Sequence, residues 1–480
     1  MVSTSNHIIQ QAKLDFQFNG NADGFKLQQQ LKDWFEIFKK RVEKEFDLLG
    51  DRVFIIDSLQ IEIDISEKNW MEQASKLVMK KLLLALNPIN AKPVVDKLQR
   101  NYFIVKTNEQ HFETAFFYFL QHGYLPWNFT SPTNTEFNLS VENLLLSKDE
   151  QFIKSLKIIL LQSDESKERF IQIVPFQSCL QLFISVIDNS KMQYQLFVND
   201  IQMLMKCALA NHSTKMALEV YSIFLNSLSL NDFELENFST NSLLQAVQLS
   251  IKKNEIDLIT ALPFRSEKFK QFIQVITFKK QDRNKKSLIS QNLEIKSGRK
   301  ESPINELKSI HQQILEPLFI SNAGLVIAAA FAPALFKKLN FSDADKLKDP
   351  GKAACLLQYL TSGVSAIQEY DLVLPKILCG LELQAVVNCQ SFYLNKQIRK
   401  EVDDVLLSII EYWNVIQDTS IEGLRESFLI RNGKLSFNGK EWILQVEHMP
   451  FDMLLQQLPW NISMIQFPWM KNMLKTEWII

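Results

Sequence analysis

Glycine is scarce in this chain, with only twelve residues among 480. The shortage argues against glycine-rich phosphate loops and against an all-β fold with many tight turns. The chain contains no P-loop, no dinucleotide-binding glycine fingerprint, no His-Glu-x-x-His and no Gly-x-Ser-x-Gly. Its six histidines are scattered, and their spacing indicates no metal site. We therefore expect no catalytic residue, no metal and no cofactor.

Cysteine is also infrequent: the chain has five, an odd number, and none forms a Cys-x-x-Cys pair. Each cysteine lies among apolar neighbours, which predicts buried free thiols in a reducing compartment. The first residues show no charged region followed by an apolar run, so we expect no Sec-type export signal.

Neither sign of charge is in excess, since 53 Lys and Arg face 54 Asp and Glu. A balanced chain has no overall field that attracts nucleic acid or anionic lipid, so we expect no nucleic-acid partner. The hydrophobic share of 46% is ordinary for a globular protein. Phenylalanine is the unusual component, with 35 residues against nine tyrosines.

Leu318 to Phe336 is the one stretch that needs a membrane test, because its nineteen residues carry no charge. A bilayer span needs about 20 apolar residues. Pro317 and Pro333 bracket the stretch, and Ser321-Asn322 is a natural helix N-cap. The pattern favours a buried helix over 323–332, and membrane association is the less favoured interpretation.

Helical spacing of apolar residues predicts a helix from Trp70 to Leu86, helices at 166–188 with a break at Pro175, and a helix at 240–252. Ile398 to Ile416 predicts an amphipathic helix with Glu401, Asp404 and Glu411 facing solvent.

The hydrophobic periodicity predicts a mainly α fold with small β elements. Alternation at 8–18 and 53–65 indicates two strands that share a small sheet, covered by a helix over 27–49. The predicted organisation is a β-α-β plus helix domain at 1–105, a helical middle domain at 106–278, a basic linker at 279–302 and a helical C-terminal lobe at 303–480. The linker carries eight basic and three acidic residues. Composition favours a solvated connection there over a basic patch for an acidic partner.

The C-terminal lobe ends in a distinct terminal module, 424–480. A helical pattern stops at Asn432-Gly433, and Leu435 to Val446 reads as a β-hairpin with a two-residue turn at Asn438-Gly439. A short amphipathic helix at Phe451 to Leu458 follows a proline. A tail punctuated by tryptophan and proline completes the module.

The aromatic residues of this module are the candidate interaction surface: Trp442, Trp460, Phe467, Trp469 and Trp478. Tryptophan is over-represented among the residues that dominate protein interfaces. The same residues could equally fill the core of the module. The sequence leaves both interpretations open.

Four stretches together resemble the contractile injection system tape measure protein family. They are IIQQAKLDFQF with IDSLQIEIDI, FISNAGLVIAAAFAPALFKKL, YLTSGVSAIQEYDLVLPKILCGLEL, and the terminal module from LRESFLIRNGKL to MIQFPWM. The resemblance implies a non-enzymatic component of phage-tail-like, type VI-like particles. Its implied partners are inner-tube, baseplate or cap proteins, and its implied place is the cytoplasm during assembly and the assembled particle. The oligomeric state stays open.

The family label further implies a ruler that sets tube length. A continuous helix of 480 residues would reach about 720 Å at about 1.5 Å per residue. The prolines, the short helices and the lack of a sustained heptad instead predict a folded adaptor or initiator. The alternative of a different class is a membrane-associated or effector-like protein carried by the same particle, motivated by the uncharged 318–336 stretch.

Overall fold

The computed structural model describes residues 12–14, 17, 24–47, 52–56, 60–63, 69–86, 103–129, 133–147, 150–184, 192–210, 214–226, 259–274, 316–343 and 345–478. The chain divides into two compact units, Met1–Ala115 with Asn128–Thr130, and Phe116–Trp127 with Ser131–Ile480. The fold is mainly α with small β elements, which confirms the predicted class. The four-part division at 105, 278 and 302 stays a prediction, and the linker lies outside the described residues.

The first unit contains α1 (Gly24–Asp47), β1 (Arg52–Ile56), α2 (Trp70–Leu86) and β2 (Phe103–Thr107). The two helices pack through Trp34, Phe38 and Val42, which recur every four residues and so share one face of α1. Trp34 Nε1 donates hydrogen bonds to Met71 O and to Ser75 Oγ, both at 2.9 Å. The indole therefore anchors α1 on α2.

Of the stretch predicted as a strand, 53–65, residues 53–56 lie in β1 and the described residues 60–63 are not in a strand. β1 pairs antiparallel with β2, a strand that the sequence did not predict. The alternation at 61–63 has another cause: Ile61 and Ile63 pack against the cluster of the two helices. The strand predicted at 8–18 lies largely outside the described residues.

The helical middle follows local sequence signals closely. Its described helices are α3 (Asn108–His122), α4 (Asn134–Ser147), α5 (Glu150–Gln162), α6 (Asp164–Ile173), α7 (Phe176–Ile184), α8 (Met192–Ala210) and α9 (Thr214–Asn226). Ser163 caps α6, accepting a hydrogen bond from Ser166 N at 3.2 Å, and Pro175 separates α6 from α7 as predicted. Residues 259–260 and 267–274 are also helical, whereas the helix predicted at 240–252 lies outside the described residues.

The phenylalanine excess fills the core of these helices. Among the largest fully buried side chains are Phe116, Phe119, Phe137, Phe152, Phe170, Phe197 and Phe224. Phe119 and Phe137 meet edge to face, with ring centroids 6.1 Å apart. Such contacts stabilise beyond area burial alone.

The C-terminal lobe, 316–478, combines short helices with a small sheet. Its α-helices are α10 (Leu325–Ala329), α11 (Ala332–Lys338), α12 (Pro350–Ser362), α13 (Val373–Leu378), α14 (Lys396–Tyr412) and α15 (Ile421–Leu424). A π-helical turn, Arg425–Leu429, continues α15, and 3₁₀ turns occupy Glu369–Leu372, Cys389–Ser391, Asn414–Ile416 and Pro450–Gln457. Asp349 and Asn395 cap α12 and α14 by accepting hydrogen bonds from Lys352 N and Ile398 N.

Residues 322–329 of the uncharged 318–336 stretch are all buried, but the stretch does not form the single helix predicted at 323–332. It forms β3 (Leu318–Ile320) and the short helices α10 and α11. Asn322 is not a side-chain N-cap: its amide donates to Gln358 Oε1 and Asp371 O, both at 2.8 Å. Among the described residues, no helix has both the length and the apolar character needed to cross a membrane.

A five-stranded sheet organises the lobe in the order β3-β6-β7-β9-β8, from β6 (Gly433–Phe437), β7 (Trp442–Val446), β8 (Met464–Ile465) and β9 (Leu474–Glu477). All neighbours are antiparallel except β7 and β9, which are parallel. A short hairpin of β4 (Ser342–Asp343) and β5 (Lys346–Leu347) is separate.

The β6–β7 hairpin was predicted correctly, but its turn was not. Phe437 pairs with Trp442, which leaves a four-residue loop, and within that loop only Gly439 has positive φ, at 92°. Asn438 Oδ1 accepts hydrogen bonds from the backbone N–H of Lys440 at 3.0 Å and Glu441 at 2.9 Å. The side chain therefore holds the longer loop in place of a two-residue turn.

Candidate interaction surface

The tail after β7 is fixed to the lobe by its tryptophans. Trp460 Nε1 donates to Ile327 O at 2.9 Å, and the ring meets Phe331 edge to face at 5.1 Å. Trp469 Nε1 donates to Leu378 O, also at 2.9 Å, which places it at the C-terminal end of α13. Two backbone acceptors at helix positions thus bind two indoles of the tail.

Gly380 allows this docking. Its φ is +70°, and a Cβ built there would lie 2.1 Å from Trp469 O. Any other side chain would push the tail away from α13, since real Cβ atoms do not approach an oxygen so closely. Phe467 packs beside Trp469, with the rings tilted and their centroids 5.3 Å apart.

The end of β9 closes a buried charged network around Asp452. The Asp452 carboxylate accepts hydrogen bonds from Arg431 Nη2 and Trp478 Nε1, both at 2.9 Å, and from Met449 N at 2.8 Å. Asp452 is fully buried and Arg431 is 4% exposed. The Arg431 guanidinium also lies over the Phe451 and Trp478 rings, 5.0 and 5.7 Å from their centroids. One ion pair therefore joins three separate parts of the terminal module.

Trp442 is placed differently, on β7, where it meets Phe437 across the hairpin at 5.0 Å. Trp478 is buried, whereas Trp442, Trp460, Phe467 and Trp469 are half-buried. The structure thus shows what the indole N–H groups of Trp460, Trp469 and Trp478 bind within the chain. A partner for the exposed parts of these rings stays a prediction.

A second buried charged cluster was missed by the sequence analysis. Glu369 Oε1 accepts from Lys376 Nζ at 2.8 Å and from Arg169 Nε at 3.2 Å. Arg169, on α6 of the helical middle, also donates to Leu120 O at 2.9 Å and to Gln384 O. Burial lowers the pKa of Lys376, while the Glu369 carboxylate acts in the opposite direction. The cluster ties the helical middle to the C-terminal lobe through residues about 200 positions apart, so no local signal could reveal it.

A cleft of about 180 Å³ lies beside this cluster and is lined by Phe119, Asn138, Arg169, Gln172, Glu369 and Gln390 among others. Glu369 Oε2 is buried in it without a hydrogen-bond partner. Cys389 also lines the cleft, and its hydrogen bond with Cys355, together with burial, raises the pKa of its thiol, which keeps it protonated. Among the described residues, no three His, Cys, Asp or Glu side chains are grouped so as to hold a metal ion.

Two of the buried cysteines have thiols that burial keeps protonated. Cys179, Cys355 and Cys379 are buried, as predicted, whereas Cys207 and Cys389 are half-buried. Burial raises the pKa of the Cys179 thiol to about 12, and it also raises the pKa of Cys379. A raised pKa keeps a thiol protonated and unreactive at neutral pH.

Comparison with known families covers nearly the whole chain. The model of the contractile injection system tape measure protein family matches residues 6–478. This protein belongs to that family. The match includes residues 109–300, which none of the four resembling stretches covers. No curated protein and no solved structure matches the chain. Membership of the tape measure family implies interaction with other components of a contractile particle.

Proposed function

We propose that this tape measure family protein is a non-enzymatic assembly component that acts as a folded adaptor. In this role it joins the inner tube to the baseplate or cap and influences tube length indirectly. It works in the cytoplasm during assembly and within the injection particle afterwards. The family match supports a role in the contractile particle, and the packing of the C-terminal lobe supports a folded adaptor.

The observation that carries the adaptor proposal is the fold of residues 316–478. Its helices are short, α14 being 17 residues long, and they pack with the sheet into one hydrophobic cluster. The 24-residue α1 is the longest helix that the structure describes and spans about 36 Å at about 1.5 Å per residue. A tube-length ruler made of continuous helix is not supported by these elements.

The first test is an in-frame deletion of the gene, with particles counted and measured by electron microscopy. An assembly component predicts a loss of particles or scattered tube lengths, restored by a plasmid copy. Particles of normal number and length from the deletion strain would refute the proposal.

The membrane-associated or effector-like alternative rested on the absence of charge at 318–336. Burial accounts for that composition, since every residue of α10 is at most 1% exposed. Flotation of the purified protein with liposomes tests the alternative directly. Recovery with the vesicles would favour it, and recovery at the bottom of the gradient would remove it.

A further inference from the structure

An apolar surface remains uncovered where α14 ends beside the 3₁₀ turn Pro450–Gln457. Trp413 Nε1 donates to Leu454 O at 3.1 Å and so joins the two segments. Beneath them runs a row of aromatic rings, with Trp413 and Phe428 at 4.7 Å and Phe428 and Phe451 at 5.4 Å. The row extends from the core to the surface, since Trp413 is fully buried and Phe451 is 36% exposed.

Six large apolar side chains around this row face solvent. We call them the apolar patch: Tyr412, Val415, Ile430, Met449, Phe451 and Met453. Met453 is 64% and Tyr412 is 61% exposed. Clustered exposed apolar side chains with a polar rim mark interaction sites, and methionine is frequent on surfaces that bind helices. The patch is separate from the tryptophans predicted from the sequence.

Acidic side chains predominate along the segments that carry the patch. Glu411, Asp418, Glu422, Glu426 and Glu447 are all exposed. Of the four Lys and Arg side chains between 411 and 453, Arg425 and Arg431 are buried, at 9% and 4% exposure, and Lys434 and Lys440 belong to the β6–β7 hairpin. An acidic rim repels nucleic acid and anionic lipid, and it attracts a basic protein surface.

We propose that the apolar patch, with its acidic rim, binds a basic amphipathic helix of another protein of the contractile particle. The apolar face of that helix covers Met453, Phe451 and Tyr412, while its Lys or Arg side chains approach Glu411 and Glu426. This inference rests on the proposed adaptor function and specifies the chemistry of one partner.

The test places a photo-crosslinking amino acid at position 453 of the full chain, expressed with the complete particle. Position 393 is the matched control, because Tyr393 is 80% exposed and lies just before α14. Tyr412 is at the opposite end of α14, which is about 24 Å long at about 1.5 Å per residue. The expected product from position 453 is a peptide of another particle protein, with net positive charge and apolar residues at helical spacing. Position 393 should not give that product.

Charge reversal provides the second arm. Glu411→Lys with Glu426→Lys should lower the crosslinking yield about tenfold or more, whereas Asp345→Lys, at an exposed acid of the β4–β5 turn, should not. Circular dichroism confirms that the variants fold. The proposal is overturned if position 453 gives no crosslink, or a crosslink only to a second copy of this chain or to lipid. It is also overturned if the crosslinked peptide is acidic, or if charge reversal leaves the crosslinking yield unchanged. If one of these results were found while deletion of the gene still abolished particles, the proposed adaptor function would be retained and only the proposed binding surface would be rejected.

Discussion

The Asp452→Asn substitution tests the network that holds the terminal module. The variant keeps the shape of the side chain but removes the charge that faces Arg431. Asp452 Oδ1 accepts from Arg431, and Oδ2 accepts from both Met449 N and Trp478 Nε1. An asparagine has a single acceptor oxygen, so its NH₂ group must face either Arg431 or the other two donors. Either orientation leaves a buried donor without a partner.

The expected loss of stability follows from the burial of Arg431 and Asp452. Arg431 is 4% exposed, and one of its nitrogens, Nη1, already has no hydrogen-bond partner. Removing one member of a buried ion pair costs about 3–5 kcal/mol, because the remaining charge stays in the interior. We therefore expect Asp452→Asn to lower the free energy of unfolding of the C-terminal lobe by about 3–5 kcal/mol.

Urea unfolding of the full chain, followed by tryptophan fluorescence, measures this effect. Five of the eight tryptophans lie between 413 and 478, so the signal reports mainly on the lobe. Asp418→Asn is the matched control, since Asp418 is exposed and the same charge is lost; a change within about 0.5 kcal/mol is expected. Adding Arg431→Met to Asp452→Asn removes the orphaned guanidinium and should restore part of the stability. A single Asp452→Asn variant as stable as its control would refute the reasoning.

Two further predictions concern packing and pH. Gly324→Ala would place a Cβ 1.7 Å from Phe428 O and should destabilise the lobe by about 2 kcal/mol or more in the same urea assay. Gly351→Ala is its control: the added Cβ would make ordinary contacts, the nearest at 3.5 Å, so its stability should be unchanged or slightly higher. Burial, and then the nearby Arg169 charge, lower the pKa of His122. As the pH falls below about 6.5, His122 takes up a proton in the unfolded chain before it does so in the folded protein, so the free energy of unfolding decreases. The His122→Gln variant should therefore show a weaker dependence of stability on pH between about pH 7.5 and about pH 5.5. An equal slope in both proteins would contradict the assignment.

Local signals predicted most of the helices because periodicity and breakers agree with the tertiary packing. Trp70 to Leu86 is a helix with the predicted boundaries, and Pro175 breaks α6 from α7 where expected. The apolar face of α14 was also correctly assigned, with Ile398, Val402 and Leu406 buried. Glu401 was predicted to face solvent and is instead buried, where it pairs with Lys338 of α11. These elements bury a single continuous face, which a helical period of 3.6 residues reveals.

The five-stranded sheet could not be predicted in the same way. Its edge strand β3 has three residues and comes from a stretch whose apolar run was typical of a helix. β9 pairs in parallel with β7, although the 3₁₀ turn Pro450–Gln457 and β8 lie between them along the chain. Such a pairing depends on long-range contacts. The Asp452 network was missed for the same reason: Arg431, Asp452 and Trp478 are separated along the chain, and only the fold brings them together.

The central claim, a folded adaptor in place of an extended ruler, is tested most directly by tube length. A 40-residue helical insertion at position 290, in the predicted basic linker, lengthens the chain at a point outside the described residues. A ruler predicts inner tubes longer by about 60 Å, at about 1.5 Å per inserted residue. The adaptor predicts particles of unchanged mean length by electron microscopy. A shift of mean tube length in proportion to the insertion would contradict the account.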